Sequence, residues 1–276
     1  MRSIQFQVLP APDILKTDVE CFAIAHNPGV EALVIKQCPN GLPGIVFQHN
    51  QGRSAVGSVV TPSGLHTCAP TLFIYGQATQ PSVINQNKGP STMTQVILKP
   101  HALQTLLGIN ASALTNWVVD LNEFSAGDLN VQLIEARNEQ ERLTLLTSFL
   151  LAKLKQAKTR DGLVEESLCL IHQHAGSIHI KYLLEHLHIS ERQFERRFTQ
   201  TVGISPQLYL RVKRFNEAAR LMNTGQFETL IDVAYALNFY DQSHFIRDIK
   251  AFSGITPKCL TQKVDAFHGV AGFSYL

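Results

Sequence analysis

The 276-residue sequence predicts an α+β chain: an N-terminal antiparallel β-barrel or sandwich with helices, then an all-α half holding two helix-turn-helix units. Three observations predict it. Short apolar runs cut by turn formers occupy roughly the first 100 residues. A leucine-rich helical pattern closes that half. Beyond it, one capped helical sentence is written twice, about 50 residues apart.

In the first half, Cys21–Ala25 stops at Asn27-Pro28-Gly29, and Ala32–Lys36 stops before Pro39-Asn40-Gly41. Gly44–Gln48, Ala55–Val60, Thr71–Gly76 and Met93–Lys99 complete the series of short strands. Closely spaced short strands favour a small sandwich or a cupin-like barrel, and such a barrel can enclose one small ligand. Phe47, His49, His66, Phe73 and Tyr75 are candidates for its pocket, and the competing reading is that they fill the core. His26, His49, His66 and His101 stand singly, without the paired histidines and nearby carboxylate of a metal-binding cupin. No nucleophile elbow, P-loop or dinucleotide fingerprint is present. No catalytic residue, metal ligand or cofactor is therefore expected.

His101–Leu107 should form a short helix ended by Gly108, and Trp117, the sole tryptophan, should pack a junction. Residues 135–158 carry the longest helical pattern, with Leu143, Leu146, Leu150 and Leu154 in a narrow seam. That seam can pack on its own β-domain or pair with a second copy in a homodimer. A polar stretch ending in glycine, AKTRDG, reads as the linker. The expected division is 1–158, a linker at 159–162, a helical domain at 163–258 and a tail at 259–276, in which Phe267 and Phe273 could fold back.

The five cysteines are scattered, with no C-x-x-C pair, and read as reduced, mostly buried thiols. No run of about 18 apolar residues suggests a membrane span. The N-terminus has no signal-peptide pattern, so a cytoplasmic location is expected. Net charge is +2, and residues 181–258 hold eleven Lys or Arg against eight Asp or Glu. That modest excess permits a nucleic-acid partner without requiring one.

The duplicated sentence carries more information. Ser190 is suited to cap a helix, with Gln193 placed to complete a capping box. Phe194 and Phe198 share one face, Gly203 can close the helix in the left-handed conformation, and Ser205-Pro206 opens the next. Phe245, Gly254 and Pro257 repeat Phe194, Gly203 and Pro206 at one offset. Small apolar helices precede both copies, from Ile180 and from Leu230. Between the copies, Pro206–Asn223 would make a helix about 27 Å long, comparable with the spacing of about 34 Å between successive major-groove faces.

With these residues in view, the second half resembles the DNA-binding domain of the AraC/XylS family of bacterial transcription regulators. The match is specific over about Leu163–Pro257, and ALNFYDQSHFIRDIKAFSGITP is close to the family signature. Asn238 stands where the family usually has a turn glycine, and asparagine tolerates that conformation. The resemblance implies a regulator of double-stranded promoter DNA, with RNA polymerase, a small-molecule effector and a homodimer partner as further expectations. It places base reading on Arg192, Glu195 and Arg196 in the first recognition helix, and on Gln242, Ser243, His244 and Arg247 in the second. Phosphate contacts would come from Ser190, Arg197, Lys213 and Lys250. Two alternatives stay open: a ligand-independent regulator governed by abundance or a protein partner, and a repair methyltransferase fused to a DNA module. The latter needs an activated cysteine.

Overall fold

The computed structural model describes residues 4–157, 160–174, 178–224, 227, 229–263 and 274–275. The expected tail anchors Phe267 and Phe273, and Lys158 at the end of the expected seam helix, lie outside the described residues.

The first half is a β-sandwich of two antiparallel sheets that do not close into a barrel. Its strands are β1 (Gln5–Pro10), β2 (Val19–Asn27), β3 (Leu33–Gln37), β4 (Gly44–His49), β5 (Val56–Thr61), β6 (Gly64–Thr67), β7 (Leu72–Tyr75), β8 (Ser82–Gln86), β9 (Ser91–Leu98), β10 (Val118–Asp120) and β11 (Ser274–Tyr275). One sheet runs β1-β2-β9-β4-β7-β10 and the other β11-β3-β8-β5-β6. The last strand is supplied by the far end of the chain, where Tyr275 pairs with Lys36.

The six-stranded sheet is covered on both faces, so its inner strands are mostly buried, and β7, LFIY, is apolar throughout. Directly opposed residues share a face: Phe47 lies across from Leu72, and Val46 across from Phe73. One face, with Phe22, Ile45, Phe47, Leu72, Ile74, Val96 and Leu98, builds the main core. Three helices cover it: α1 (Ala102–Leu107), α2 (Leu129–Glu135) and α3 (Glu139–Gln156). The other face turns Val46, Gln48, Phe73, Tyr75 and Gln95 toward the second sheet.

α1 ends as expected at Gly108, in the left-handed conformation at φ 67°. The expected helix from residue 135 is instead broken at 136–138. Asn138 caps α3 through the Glu141 N–H at 2.9 Å. Arg142, only 9 % exposed, donates to the Leu133 and Ala136 carbonyls at the end of α2 and pairs with Glu139. It thereby satisfies carbonyls that the helix end leaves open.

The second half comprises α4 (Gly162–Gln173), α5 (Ile180–His186), α6 (Glu191–Val202), α7 (Pro206–Thr224), α8 (Leu230–Ala236), α9 (Gln242–Ser253) and α10 (Pro257–Lys263). α4, α5 and α6 surround one apolar cluster centred on Phe194 and Phe198, and α7, α8 and α9 surround another centred on Phe215, Phe245 and Phe252. α10 closes the second cluster with Leu260 and continues past the expected domain end at 258. The aromatic anchors predicted from spacing are fully buried, which fixes the opposite faces of α6 and α9 outward.

Candidate nucleic-acid interface and interior cavity

The two helix-turn-helix units start from local turn chemistry. Asn238 takes the left-handed conformation at φ 54°, as the sequence required, and His188, fifty positions earlier, does the same at φ 49°. Gly203 at φ 104° and Gly254 at φ 76° end α6 and α9. Capping differs between the copies. Asp241 accepts the His244 N–H at 2.6 Å, and Thr229 forms a capping box with Asp232. The capping box expected at Ser190 is absent: Ser190 holds the cap position in extended backbone without a side-chain bond.

Burial of the phenylalanines leaves Arg192, Glu195 and Arg196 exposed on α6, and Gln242, Ser243, Arg247 and Lys250 exposed on α9. His244 is half-buried, edge-on to Phe239 at 5.6 Å, with Nε2 3.8 Å from Asp248. Ser190 is exposed before α6. Sequence reasoning passed over Tyr240, which is 91 % exposed just before α9. Its signal was an aromatic side chain adjacent to an Asp cap.

Two of the residues expected to meet phosphates lie against other parts of the protein. Arg197 makes a two-pronged ion pair with Asp161, at 2.8 and 2.6 Å, which ties α6 to the start of α4. The bond to that carboxylate holds the Arg197 guanidinium above its ordinary pKa, although burial opposes it. Lys213 faces the β-sandwich beside Gly41, and burial lowers its pKa against the pull of Glu20 and Glu217. Arg197 is thus held against the start of α4 with 38 % of its side chain exposed, and Lys213 is directed toward the sandwich.

In the second unit Arg211 reaches Asp248 at 2.7 and 3.4 Å, with Asp248 almost fully buried. Arg197 and Asp248 lie 51 positions apart, and Asp161 and Arg211 lie 50 apart. The two copies thus carry the same inter-helix bridge with its charges exchanged. Residue-type comparison hides this correspondence.

Both α6 and α9 are moored at their C-terminal ends to the first half. Thr115 donates to the Gly203 carbonyl at 2.6 Å, and Thr201 to Gln104 of α1 at 2.6 Å. Tyr275, carried by β11, donates to the Ser253 carbonyl at 2.6 Å. α7 rests on the loop between β3 and β4, where Asn216 donates to the Pro39 carbonyl at 2.9 Å. Just before α4, Arg160 reaches buried Asp18 at 2.5 Å, and His101 lies 3.5 Å from the same carboxylate. Burial works to raise the Asp18 pKa, but the adjacent His101 ring and the Arg160 guanidinium outweigh it and hold the carboxyl below its usual range.

Between the two sheets lies a cavity of about 180 Å³. Phe73 and Tyr75 line it. Phe47, His49 and His66 do not. Phe47 and His49 sit on the opposite side of β4, where Arg142 stacks over Phe47. The His49 pKa is lowered by burial and by Arg142, against Glu139. His66 lies on β6, edge-on to Trp117 at 5.1 Å. Trp117 itself is on the cavity wall rather than at a packing junction. Two wall segments also face the helical half: Asn40 and Leu42 flank Gly41, which abuts α7, and Asn116 and Trp117 follow Thr115, which holds α6.

The seam offered as a homodimer surface is used internally. Leu146 and Leu150 are fully buried in the main core, and Leu143 and Leu154 pack against it. Cys21 and Cys38 are buried, but Cys68, Cys169 and Cys259 are exposed, against the expectation of mostly buried thiols. Burial pushes the Cys21 thiol up to about 11 and the Cys38 thiol up to about 12, the reverse of nucleophile activation. Among the described residues no group of three His, Cys, Asp or Glu converges as a metal site would. No helix among them is long and apolar enough to cross a membrane.

Residues 183–263 match a family described as "Helix-turn-helix domain", and residues 7–120 match a "Domain of unknown function (DUF6597)". A curated relative from Haemophilus influenzae, described as an "Uncharacterized HTH-type transcriptional regulator", is 25% identical over 128 residues. The match covers 46% of this chain and 41% of that relative, so the chain spans about two fifths of its length. Among solved structures, ToxT from Vibrio cholerae O395 aligns over 94% of this chain and 98% of its own, at 12% identity and a TM-score of 0.46. The C-terminal domain of AraT from Geobacillus stearothermophilus aligns over 41% of this chain and 95% of its own, at 20% identity and a TM-score of 0.36.

Proposed function

We propose that this chain is an AraC-type helix-turn-helix transcription regulator and that α6 and α9 enter adjacent major grooves of one double-stranded promoter site. The observation that carries the reading is the disposition of the two helices. Each is anchored at its C-terminal end to the β-sandwich half and exposes side chains near its N-terminal end. Recognition helices contact base edges mainly through those N-terminal residues. Arg192, Arg196 and Arg247 suit guanine, Gln242 suits adenine, and Glu195 suits cytosine. Lys250 and the exposed Ser190 serve phosphates. Tyr240 joins them at the start of α9. α7 has 19 residues, about 28 Å of helix. A site with half-sites about one turn apart fits that connector, with some bending of the DNA.

The interior cavity is the effector site in this reading. Its walls include the segments on which α6 and α7 rest, so filling it favours one seating of the DNA-reading helices over another. A homodimer or an RNA polymerase contact would use surfaces other than the α3 seam. A regulator that works on promoter DNA acts in the cytoplasm.

The test is binding of the full chain to a labelled duplex from the gene's upstream region, against a scrambled duplex, across a salt series. Sequence-dependent binding with a steep salt slope is expected. Equal binding to both duplexes, unchanged by small molecules that fill the cavity, refutes the proposal.

A further inference from the structure

The geometry points to a specific class of ligand for the interior cavity: an uncharged, largely apolar molecule with one hydrogen-bond donor, which bonds to the side-chain carbonyl oxygen of Gln77. The inference rests on the effector reading above and narrows it.

The wall has a distinctive chemistry. It is built from aliphatic and aromatic side chains interspersed with carboxamides and hydroxyls, and among the described residues no Asp, Glu, Lys, Arg or His lines it. An ionised ligand would lose its hydration without gaining a counter-charge, which is costly in an apolar interior. A neutral ligand faces no such cost. The cavity, about 180 Å³, is somewhat larger than the apolar cavity of about 150 Å³ that accommodates benzene in an engineered protein. One or two fused rings, or an equivalent branched chain, match that size.

Gln77 supplies the orientation. It is fully buried, and its amide nitrogen, Nε2, donates to the Gly41 carbonyl at 3.0 Å. That bond fixes which end of the amide is oxygen, and the Oε1 atom is left buried without a hydrogen-bond partner among the described residues. A buried orphan acceptor is unfavourable unless a donor reaches it. A hydroxyl or N–H on the ligand meets that need. Asn27, also on the wall, has a buried amide nitrogen lacking a partner among the described residues. It suits a carbonyl or ether oxygen, but a single N–H does not neutralise a carboxylate.

The same residue is joined to the DNA-reading half. Gly41 accepts the Gln77 bond, and a Cβ at Gly41 would lie 3.0 Å from the Tyr209 ring and 3.4 Å from Lys213, both on α7. A donor bound at Gln77 is therefore one hydrogen bond from the loop on which α7 rests.

Three naphthalene probes test the class on the full chain at neutral pH by equilibrium dialysis: 2-naphthol, naphthalene and 2-naphthoate. The expected order is 2-naphthol tightest, naphthalene about tenfold weaker for want of the donor, and 2-naphthoate weaker still. In Gln77→Leu, 2-naphthol should fall to the affinity of naphthalene, while naphthalene binding persists and reports an intact cavity. Trp117 lines the cavity, and its emission locates the probe there. If naphthalene binds but 2-naphthoate equals or exceeds 2-naphthol, the ligand class is refuted and the effector cavity stands. Retained preference for 2-naphthol in Gln77→Leu refutes the role of Gln77. If none of the probes binds, the cavity reading falls and this inference falls with it.

Discussion

Removing the charge of Asp248 tests how α9 is held. Asp248 is 1 % exposed at its side chain and Arg211 is 40 % exposed. Two unit charges about 4 Å apart attract by about 4 kcal/mol at an effective dielectric of about 20. Desolvation of the buried carboxylate consumes a large part of that gain. Partial exposure of the guanidinium lowers the net further, toward the range of surface pairs. We expect a coupling of about 2 kcal/mol in a double-mutant cycle of Asp248→Asn and Arg211→Met, the methionine keeping an apolar stem over Phe252, where Arg211 stacks. The equivalent cycle on Asp161 and Arg197 should yield about 1 kcal/mol, because Asp161 is 18 % exposed. Urea unfolding followed by circular dichroism at the helix band measures both cycles. Asp248→Asn should also weaken discrimination of the promoter site, since His244 lies beside the same carboxylate. Couplings below about 0.5 kcal/mol in both cycles would refute the view that these exchanged bridges position the recognition helices.

The remaining predictions are shorter. Arg196→Ala or Arg247→Ala should weaken specific DNA binding by roughly 1–3 kcal/mol with the helical signal unchanged, and equal loss on scrambled DNA would reassign the residue to phosphate contact. Because the Asp18 carboxyl is held below its ordinary 3.8, its stabilising effect is fully present above the unfolded value and is lost as pH falls through the lower folded value. Melting temperature across an acid series should therefore drop more steeply in the parent than in Asp18→Asn, and parallel curves would dissociate the linker latch from this titration. Asn238→Gly and His188→Gly should each stabilise by up to about 1 kcal/mol, since both residues occupy the left-handed region. A loss of stability in thermal melts would mean that the side chains hold the turns by other contacts. Gly203→Ala should destabilise by more than about 1 kcal/mol, because an added Cβ would lie 3.1 Å from the Ala111 carbonyl in a backbone at φ 104°.

What the sequence determined by itself is local. Left-handed positions at Asn238, Gly203 and Gly254 follow from which residues tolerate that backbone, and the buried phenylalanine faces follow from helical periodicity. Those two facts alone select the outward arginines. The alternation in β4 and β7 likewise separates two faces, with Phe47 on one and Phe73 on the other once Val46 is known to oppose Phe73. Alternation does not say which face meets helices and which meets the second sheet. Only strand register and the packing of α1, α2 and α3 decided that, and so moved Phe47 and His49 out of the pocket. The same holds for Arg197 and Lys213, which look like surface cations in sequence but are engaged by Asp161 and by the sandwich. Their partners are distant in the chain, and a charge pair leaves no periodic trace. Tertiary structure also chose the internal use of the leucine seam, the contribution of Tyr275 to the sandwich edge, and the placing of Gln77 between cavity and connector helix. Each depends on contacts across long sequence separations, where burial and orientation, not residue type, determine what a side chain can do.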